Sequence, residues 1–487
     1  MIFNSFHFLL FLPIVVGLYF ATPFKWRWLF TLLASYYFYM CWKPEYAFLI
    51  VVSTSIDYFT GLKMSQCADK KQRRPYMLIS LLSNLGLLLL FKYFNFFNDS
   101  ARGIFDQLNI FYNVPEFRLF LPVGISFYTF QTLSYSIDIY RGTAKPEKHF
   151  GYFALFVSFW PQLVAGPIER SNDLMPQLKT KFDFSYFRAR EGLIRILWGF
   201  FKKVVVADRL SIFVQEVYQN PGEHGGFAVV IATWMFAFQV YCDFSGYCDI
   251  AIGSARIMGY NLTDNFKTPY FSKTIREFWQ RWHITLSFWI RDYLYFPLGG
   301  SRVNYRRLMF NTMLTFTIMG LWHGANWTFV MFGVVHGVLL SLRRTTDKFF
   351  PNFKLDLGPN LKWLTSFLVM FWVFNLTCIP DIFFCSRNVS EAFVIIGSIF
   401  NSPNTTASLI HNSVVGSDSV VQFALSWIFI ALLLVVDFKM YIKGDQTIED
   451  RITSKPVVIR WSFYLGMLLL IGWFAMVNNA AFIYFQF

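Results

Sequence analysis

The 487-residue sequence is poor in charged residues and in cysteine. Only 15% of its residues are Asp, Glu, Lys or Arg, whereas 55% are hydrophobic and 21% are aromatic. Its six cysteines form neither a CxxC pair nor a zinc-like spacing with histidine, which argues against a zinc site and a disulfide framework. The sequence also lacks a Walker loop, a GxSxG elbow and a dinucleotide-binding glycine fingerprint. We therefore expect no metal and no tightly bound cofactor.

Acidic residues are scarcer than basic ones, with 29 Asp and Glu against 43 Lys and Arg. The basic residues are spread between apolar segments and do not form one basic tail, so they indicate positive loops beside a membrane and not nucleic-acid binding. Basic loops follow the first and third apolar segments, at Lys25, Arg27, Lys63, Lys70, Lys71, Arg73 and Arg74. If these loops are cytoplasmic, the N-terminus lies outside.

Apolar runs close to the roughly 20 residues that cross a bilayer recur along the chain. We predict an all-α, polytopic integral membrane protein that forms one domain over 1–487, with about eleven transmembrane helices plus re-entrant and interfacial helices. The runs are continuous and do not alternate, which disfavours a β-barrel. The candidate segments are near 3–20, 28–42, 46–62, 76–97, 120–139, 151–168, 226–256, 308–342, 361–384, 389–400, 419–437 and 461–486.

Two middle stretches are too charged to span a membrane. Residues 182–218 interleave basic with apolar side chains, which predicts an amphipathic helix that lies along the headgroups or caps a bundle. Residues 261–307 combine charge with many aromatic side chains, which is typical of an interfacial or re-entrant element beside a cavity. Pro161 and Pro167 are expected to break the helix in the 151–168 segment.

Two histidines are the strongest candidates for chemistry. His323 stands between apolar runs, flanked by Gly320 and Gly324, and we place it deep in a helix. His283 stands in a charged, aromatic segment. Each could instead be a packed or interfacial histidine, as we expect for His336. Together they could divide acyl transfer, with one taking a hydroxyl proton and the other polarising the acyl carbonyl.

Asp243 and Asp249 also fall within an apolar stretch, where carboxylates are unlikely to face lipid. The simplest interpretation pairs them with Arg256 or with arginines of 276–291. A metal site is disfavoured, since histidines are missing nearby.

Several ordered motifs resemble the membrane-bound O-acyltransferase family, in particular its bacterial alginate O-acetyltransferase-like branch. The resemblance is densest over 120–345. It rests on GISFYTFQ at 124–131, VAGPIER at 164–170, DFSGY at 243–247, EFWQRWHITLS at 277–287, WIRDYLYFPLGG at 289–300 and LWHGA at 321–325.

The resemblance implies a helical membrane fold around a central funnel, with His323 as the catalytic histidine and His283 as the second active-site residue. The acyl donor, acetyl-CoA or another acyl thioester, would be a co-substrate that arrives from the cytoplasm. We expect His323 to act as general base, and His283, Trp322 or Asn326 to stabilise the oxyanion. Further residues expected at the substrate or along the pore are Asp243, Ser245, Gln131, Ser287 and Arg291.

The expected function is transfer of an acyl group, with acetyl favoured, to hydroxyls of an extracytoplasmic polysaccharide or of a relay partner. The partners implied are a periplasmic SGNH-type relay protein, the polysaccharide acceptor, membrane lipids and an acyl carrier protein as a further candidate. The expected location is the bacterial inner membrane. D-alanyl transfer to teichoic acid and lipid O-acylation are the related alternatives, and a transporter or flippase is the alternative that is not an enzyme.

Overall fold

The computed structural model describes residues 1–117, 121–164, 166–220, 223–224, 226–351, 355, 357–401, 418–476 and 482–485. Position 120 of one predicted segment, Ala165 of the 164–170 motif, and positions 477–481 and 486 of the last predicted segment lie outside the described residues. Every regular element within the described residues is a helix, which confirms the predicted all-α class. The chain divides into two compact units, Met1–Ile196 with Ile250–Thr263, and Leu197–Asp249 with Asp264–Phe487.

The first unit begins with the apolar N-terminal helices. Its helices are α1 Phe6–Ala21, α2 Phe24–Met40, α3 Glu45–Gln66, α4 Lys70–Leu88, α5 Phe94–Gln107, α6 Ile125–Arg141, α7 Phe150–Ser158, α8 Trp160–Leu163, α9 Ser171–Leu178 and most of α10 Tyr186–Phe200. The break between α7 and α8 confirms the interruption predicted from Pro161.

The second unit holds the residues singled out for chemistry. Its helices are α11 Asp208–Gln219, most of α12 Phe227–Met258, α13 Ile275–Arg281, α14 Ile284–Ile290, α15 Tyr305–His323, α16 Trp327–Phe349, α17 Lys362–Cys385, α18 Val389–Asn401, α19 Asp418–Tyr441, α20 Ile448–Thr453 and α21 Val457–Phe474. The same unit has short π-helical turns at Phe201–Ala207 and Arg291–Tyr295 and 3-10 turns at Pro269–Phe271, Pro359–Leu361 and Ile483–Phe485.

Six helical segments within the described residues are long and apolar enough to cross a bilayer. They are Glu45–Gln66, Lys70–Gln107, Phe227–Met258, Pro359–Cys385, Val420–Tyr441 and Val457–Phe474. The chain is therefore a multi-pass membrane protein, while the larger count of eleven stays a prediction.

A buried polar cluster joins three helices of the first unit. The Asp57 carboxylate of α3 is fully buried and accepts hydrogen bonds from Ser80 and Asn84 of α4 and from Ser136 of α6. The Asn84 side-chain oxygen in turn accepts a bond from Thr132 at 2.9 Å. Neutral donors thus satisfy this carboxylate among otherwise apolar helices.

The predicted segment 308–342 is two helices and not one, because the backbone becomes extended at Gly324 and Asn326. The Asn326 side chain then accepts a hydrogen bond from the Thr328 N–H and caps α16. Helices α15 and α16 pack closely at two glycines. A β-carbon on Gly320 would lie 2.2 Å from the Phe329 carbonyl oxygen, and one on Gly333 would lie 2.2 Å from that of Phe316.

The prediction that residues 182–218 form an amphipathic helix along the headgroups is partly wrong. Its second half buries Lys202, Lys203 and Arg209 inside the second unit, so these basic groups do not face headgroups. The π-helical turn at 201–207 carries both lysines. Asp208, Asp243 and Asp249 of the same unit compensate the charges of the two lysines.

Candidate active site

His323 is the last residue of α15 and is buried. The expectation that it lies deep within a helix is wrong, since the extended Gly324 ends the helix directly after it. Its ring centroid lies 5.5 Å from that of Phe332 on α16 and 5.6 Å from that of Phe384 on α17. Three helices therefore fix the position of this imidazole.

His283 precedes α14 and is fully buried. Its backbone has φ of 43°, in the left-handed region that residues with a β-carbon rarely adopt. The Asn265 side-chain oxygen accepts hydrogen bonds from the Thr285 backbone N–H at 3.1 Å and from the Thr285 hydroxyl at 2.9 Å. The same oxygen lies 3.2 Å from His283 Nδ1. Asn265 thus holds both the turn and the ring.

This arrangement sets the tautomer of His283. A backbone N–H can only donate, so the Asn265 atom that receives it is the amide oxygen. An oxygen acceptor at 3.2 Å requires that His283 Nδ1 carries the proton, which leaves Nε2 as a hydrogen-bond acceptor in the neutral ring. Burial lowers the pKa of His283 to about 3, so the ring is neutral near pH 7.

Two aromatic side chains contact both catalytic candidates. The Trp322 ring centroid lies 5.9 Å from that of His283 and 5.1 Å from that of His323. The Tyr484 ring centroid lies 6.4 Å from that of His283 and 5.6 Å from that of His323. Positions 283 and 323 therefore share one aromatic neighbourhood within the second unit.

His336 provides a comparison. Its ring is buried and packs 4.7 Å from the Phe332 ring and 4.8 Å from the Trp279 ring, in agreement with the packing role expected for it.

Asp243 and Ser245 take part in a buried ionic network. Lys203 Nζ lies 2.7 Å from Asp243 and 2.9 Å from Asp208. Lys202 Nζ lies 2.6 Å from Asp249 and donates to the Ser245 hydroxyl at 2.8 Å.

The expected pairing of Asp243 and Asp249 with arginine is therefore wrong. Arg256 instead pairs with Glu191 at 2.8 Å, within the first unit. Both aspartates pair with lysines of the π-helical turn, Lys202 and Lys203, although only arginines were expected as partners from the sequence.

The remaining predicted residues have different surroundings. Gln131 belongs to the first unit and donates to the Phe156 carbonyl at 2.7 Å. Asn326 donates to the Arg387 carbonyl at 3.0 Å while its oxygen caps α16. Ser287 and Arg291 both line a cavity.

This cavity has a volume of about 790 Å³ and is bounded by residues of α13 to α16. Four basic side chains and one acidic side chain line it, namely Arg276, Arg291, Arg344, Lys348 and Asp347. Thr315 and Met319 also line it, two turns and one turn before His323 on α15. The cavity offers a positively charged space on the same helices that carry the histidine.

Sequence reasoning missed Asn265 and Tyr484. Asn265 lies in a connection between helices and in none of the motifs, and its importance depends on a turn that only the fold reveals. Tyr484 is more than 150 positions from either histidine, so local spacing gives no signal for it.

Comparison with known proteins finds a matching family. The model of the family "MBOAT, membrane-bound O-acyltransferase family" matches residues 148–386, which include both histidines. A probable alginate O-acetylase of Azotobacter vinelandii is 35% identical over 444 residues, covering 90% of this chain and 86% of the relative.

Two other relatives have different substrates in their names. A peptidoglycan O-acetyltransferase of Helicobacter pylori is 34% identical, with 76% of this chain and 72% of the relative covered. A teichoic acid D-alanyltransferase of Bacillus subtilis is 27% identical, with 54% and 68% covered. With the histidine pair in place and these similarities over most of its length, the chain belongs to the membrane-bound O-acyltransferase family and is an O-acyltransferase.

Proposed function

We propose that this enzyme transfers an acetyl group from acetyl-CoA to hydroxyls of a polysaccharide outside the cytoplasmic membrane. The observation that carries the proposal is the pair of buried imidazoles sharing two aromatic neighbours beside a basic cavity. The relatives that match most of the chain are named as acetylases of alginate and of peptidoglycan, both polysaccharides. The D-alanyltransferase matches less of the chain at lower identity.

The cavity supports a donor that carries phosphate groups. Arg344 donates to the Thr312 hydroxyl at 2.6 Å and to the Tyr295 hydroxyl at 3.2 Å, which preorganises its guanidinium at the cavity wall. Arg276, Arg291 and Lys348 add positive charge to the same lining. Guanidinium groups bind phosphate with two parallel hydrogen bonds. We place the phosphates of coenzyme A in this cavity, with the thioester directed toward His323.

The reaction proceeds by direct attack of the acceptor hydroxyl on the thioester carbonyl. His323 takes the hydroxyl proton as the carbon–oxygen bond forms, and the carbon–sulfur bond then breaks to release the thiolate, which takes up that proton. General base catalysis of this kind contributes about 10²–10⁴-fold. No acyl-enzyme is needed.

The donors to the developing oxyanion follow from the site geometry. A neutral His283 with Nδ1 held by Asn265 presents an acceptor at Nε2, so it receives a hydrogen bond from the bound substrate. Both polar groups of Asn326 are engaged with the backbone. The Trp322 indole N–H, which can only donate and whose ring contacts both imidazoles, is our choice for oxyanion stabilisation.

The proposal also includes the membrane, the orientation and the partner protein of the enzyme. We infer that the enzyme lies in the inner membrane of a bacterium with its basic loops in the cytoplasm, so that the N-terminus is outside and the donor binds on the cytoplasmic side. A periplasmic SGNH-type protein is the expected relay to the polymer. Reporter fusions within 63–74 test this orientation, and activity of a periplasmic reporter there would overturn it.

Purified enzyme in lipid vesicles with [¹⁴C]acetyl-CoA tests the activity. With the SGNH-type relay protein and polysaccharide added, we expect time-dependent release of free coenzyme A and appearance of label in the polysaccharide, and loss of both in His323→Ala. His336→Gln is the matched control, because this histidine packs among aromatic rings without contacting the pair. Activity retained in His323→Ala contradicts the assignment. Turnover only with a D-alanyl carrier protein would assign the chain to D-alanylation instead.

A further inference from the structure

The 3-10 turn Ile483–Phe485 brings Tyr484 to the two histidines from a distant part of the sequence. Phe482 and Ile483 are buried at 0% and 5% exposure, whereas Tyr484 keeps part of its surface accessible. The Tyr484 ring also packs 4.6 Å from the Phe244 ring, which itself lies 4.7 Å from the His283 ring. Rotation or withdrawal of this turn would therefore remove a wall from both imidazoles.

One polar contact to this turn comes from Asp243. The Ile483 backbone N–H donates to Asp243 Oδ2 at 2.7 Å. The other oxygen, Oδ1, is 2.7 Å from Lys203 Nζ, which in turn pairs with Asp208. The side chains of all three charged residues are at most 5% exposed. Charge-assisted hydrogen bonds of this length are stronger than neutral ones, particularly when buried.

We propose that Asp243 is a positioning residue whose carboxylate, oriented by Lys203, holds the Ile483–Phe485 turn and thereby keeps Tyr484 against His283 and His323. This inference rests on the proposed function, since it assigns to the two imidazoles the chemistry given above. Asp243 acts through the turn, and it controls the orientation of the Tyr484 ring against the two imidazoles.

The position of Asp243 on α12 supports this division of labour. Asp249 lies on the same helix, is paired with Lys202 at 2.6 Å, and provides a matched buried carboxylate that bonds elsewhere. Asp243 links Lys203 to the Ile483 backbone amide beside the active site. Lys202, in contrast, contacts both Asp249 and Ser245. We therefore expect loss of the Asp243 carboxylate, but not of the Asp249 carboxylate, to loosen the Ile483–Phe485 turn.

Hydrogen exchange measured on the full-length protein in vesicles tests the anchor directly. In Asp243→Ala, we expect exchange in a peptide containing residues 482–485 to accelerate about tenfold or more, because a buried bond to a charged group is lost. Asp249→Asn is expected to leave this exchange unchanged. Equal acceleration in both variants, or none in Asp243→Ala, overturns the proposal.

A second pair of variants avoids the ionic network. Ile483→Pro removes the donor N–H at the first position of the turn, where proline is tolerated, and it also removes the isoleucine side chain. Ile483→Ala removes that side chain but keeps the N–H. We expect fast exchange of residues 484–485 in the proline variant alone. Slow exchange in both variants overturns the proposal even if Asp243→Ala fails to fold.

Kinetics separate positioning from general destabilisation. In Asp243→Ala and Ile483→Pro we expect kcat to fall about tenfold while KM for acetyl-CoA is unchanged, since the donor cavity is lined by other residues. A raised KM with normal kcat contradicts the proposal. If the wild-type enzyme releases no coenzyme A, the proposed function is overturned. The role of Asp243 is still tested in that case, because the hydrogen-exchange measurement needs neither donor nor acceptor.

Discussion

His283 has an unfavourable backbone conformation at the position where chemistry is expected. A left-handed φ at a residue with a β-carbon costs on the order of 1–3 kcal/mol, and such strain is found at functional sites. The three polar contacts to the Asn265 oxygen compensate for it. Residue 283 is therefore placed by a side chain eighteen positions earlier, and not by helix geometry.

Substitution of Asn265 tests this dependence. In Asn265→Leu, the turn loses its acceptor, and we expect kcat to fall about 10–100-fold. Asn265→Asp keeps an acceptor but adds a negative charge, which favours the imidazolium form of His283. The acid side of its pH–rate profile should then move to higher pH. An unchanged profile in Asn265→Asp would show that Nδ1 does not donate to this position.

The stability of the protein should also depend on His283 as pH falls. Burial lowers the pKa of this group to about 3 in the folded protein, whereas the unfolded chain titrates at its ordinary value of 6.5. Below pH 6.5 only the unfolded state takes up this proton, so stability falls by up to about 1.4 kcal/mol per pH unit until about pH 3. The melting temperature between pH 7 and 5 should decrease less in His283→Asn than in wild type.

At the scale of the helix, the α15–α16 hairpin explains why His323 ends a helix and is still buried. Its helices approach so closely at Gly320 and Gly333 that a β-carbon at either position would meet backbone oxygen at 2.2 Å. Hydropathy alone merged the two helices into one segment, because the break at 324–326 is short and the flanking residues are equally apolar. Gly324 and Asn326 were the only local signals of that break.

Gly320→Val is expected to force the two helices apart. Overpacking usually costs about 1–3 kcal/mol, and the backbone oxygen of Phe329 cannot move as a side chain can. We expect a lower melting temperature and loss of most acetyl transfer, because α16 carries the Phe332 that packs on His323. Gly466→Ala on α21, where nothing lies within 4 Å of the added β-carbon, should preserve both. Similar losses in the two variants would contradict this explanation.

The sequence predicted the helical class, the interruption near Pro161 and the packing of His336 because each depends on local composition. It did not predict the partners of Asp243 and Asp249, because Lys202 and Lys203 were assigned to an exposed amphipathic face. Periodicity assumes an ordinary α-helix, and a π-helical turn changes which side chains point inward. Tyr484 could not be found either, since its proximity arises from tertiary structure alone.

For the whole molecule, charge distribution links membrane orientation with donor recognition. The formal net charge of +14 includes loop residues and the basic lining of the cavity. In our proposal these two sets have separate roles, since the first orients the chain in the membrane and the second attracts the anionic donor. The orientation itself stays a prediction.

Arg344→Gln separates donor binding from chemistry. Loss of one preorganised guanidinium should raise KM for acetyl-CoA about tenfold or more while kcat changes little. The small thioester S-acetyl-N-acetylcysteamine lacks phosphates and serves as the matched control substrate. Its KM should be the same for wild type and variant, and an equal increase for both donors would rule out phosphate recognition by Arg344.

Because Phe201–Ala207 is a π-helical turn, the number of residues in this segment matters as much as their identity. A π turn contains one residue more than an α turn, and each residue rotates a helix by about 100°. Deleting a single residue would therefore restore an ordinary helix and swing one of the two adjacent lysines away from its aspartate. Insertions and deletions in this seven-residue segment should be tolerated worse than most substitutions in it.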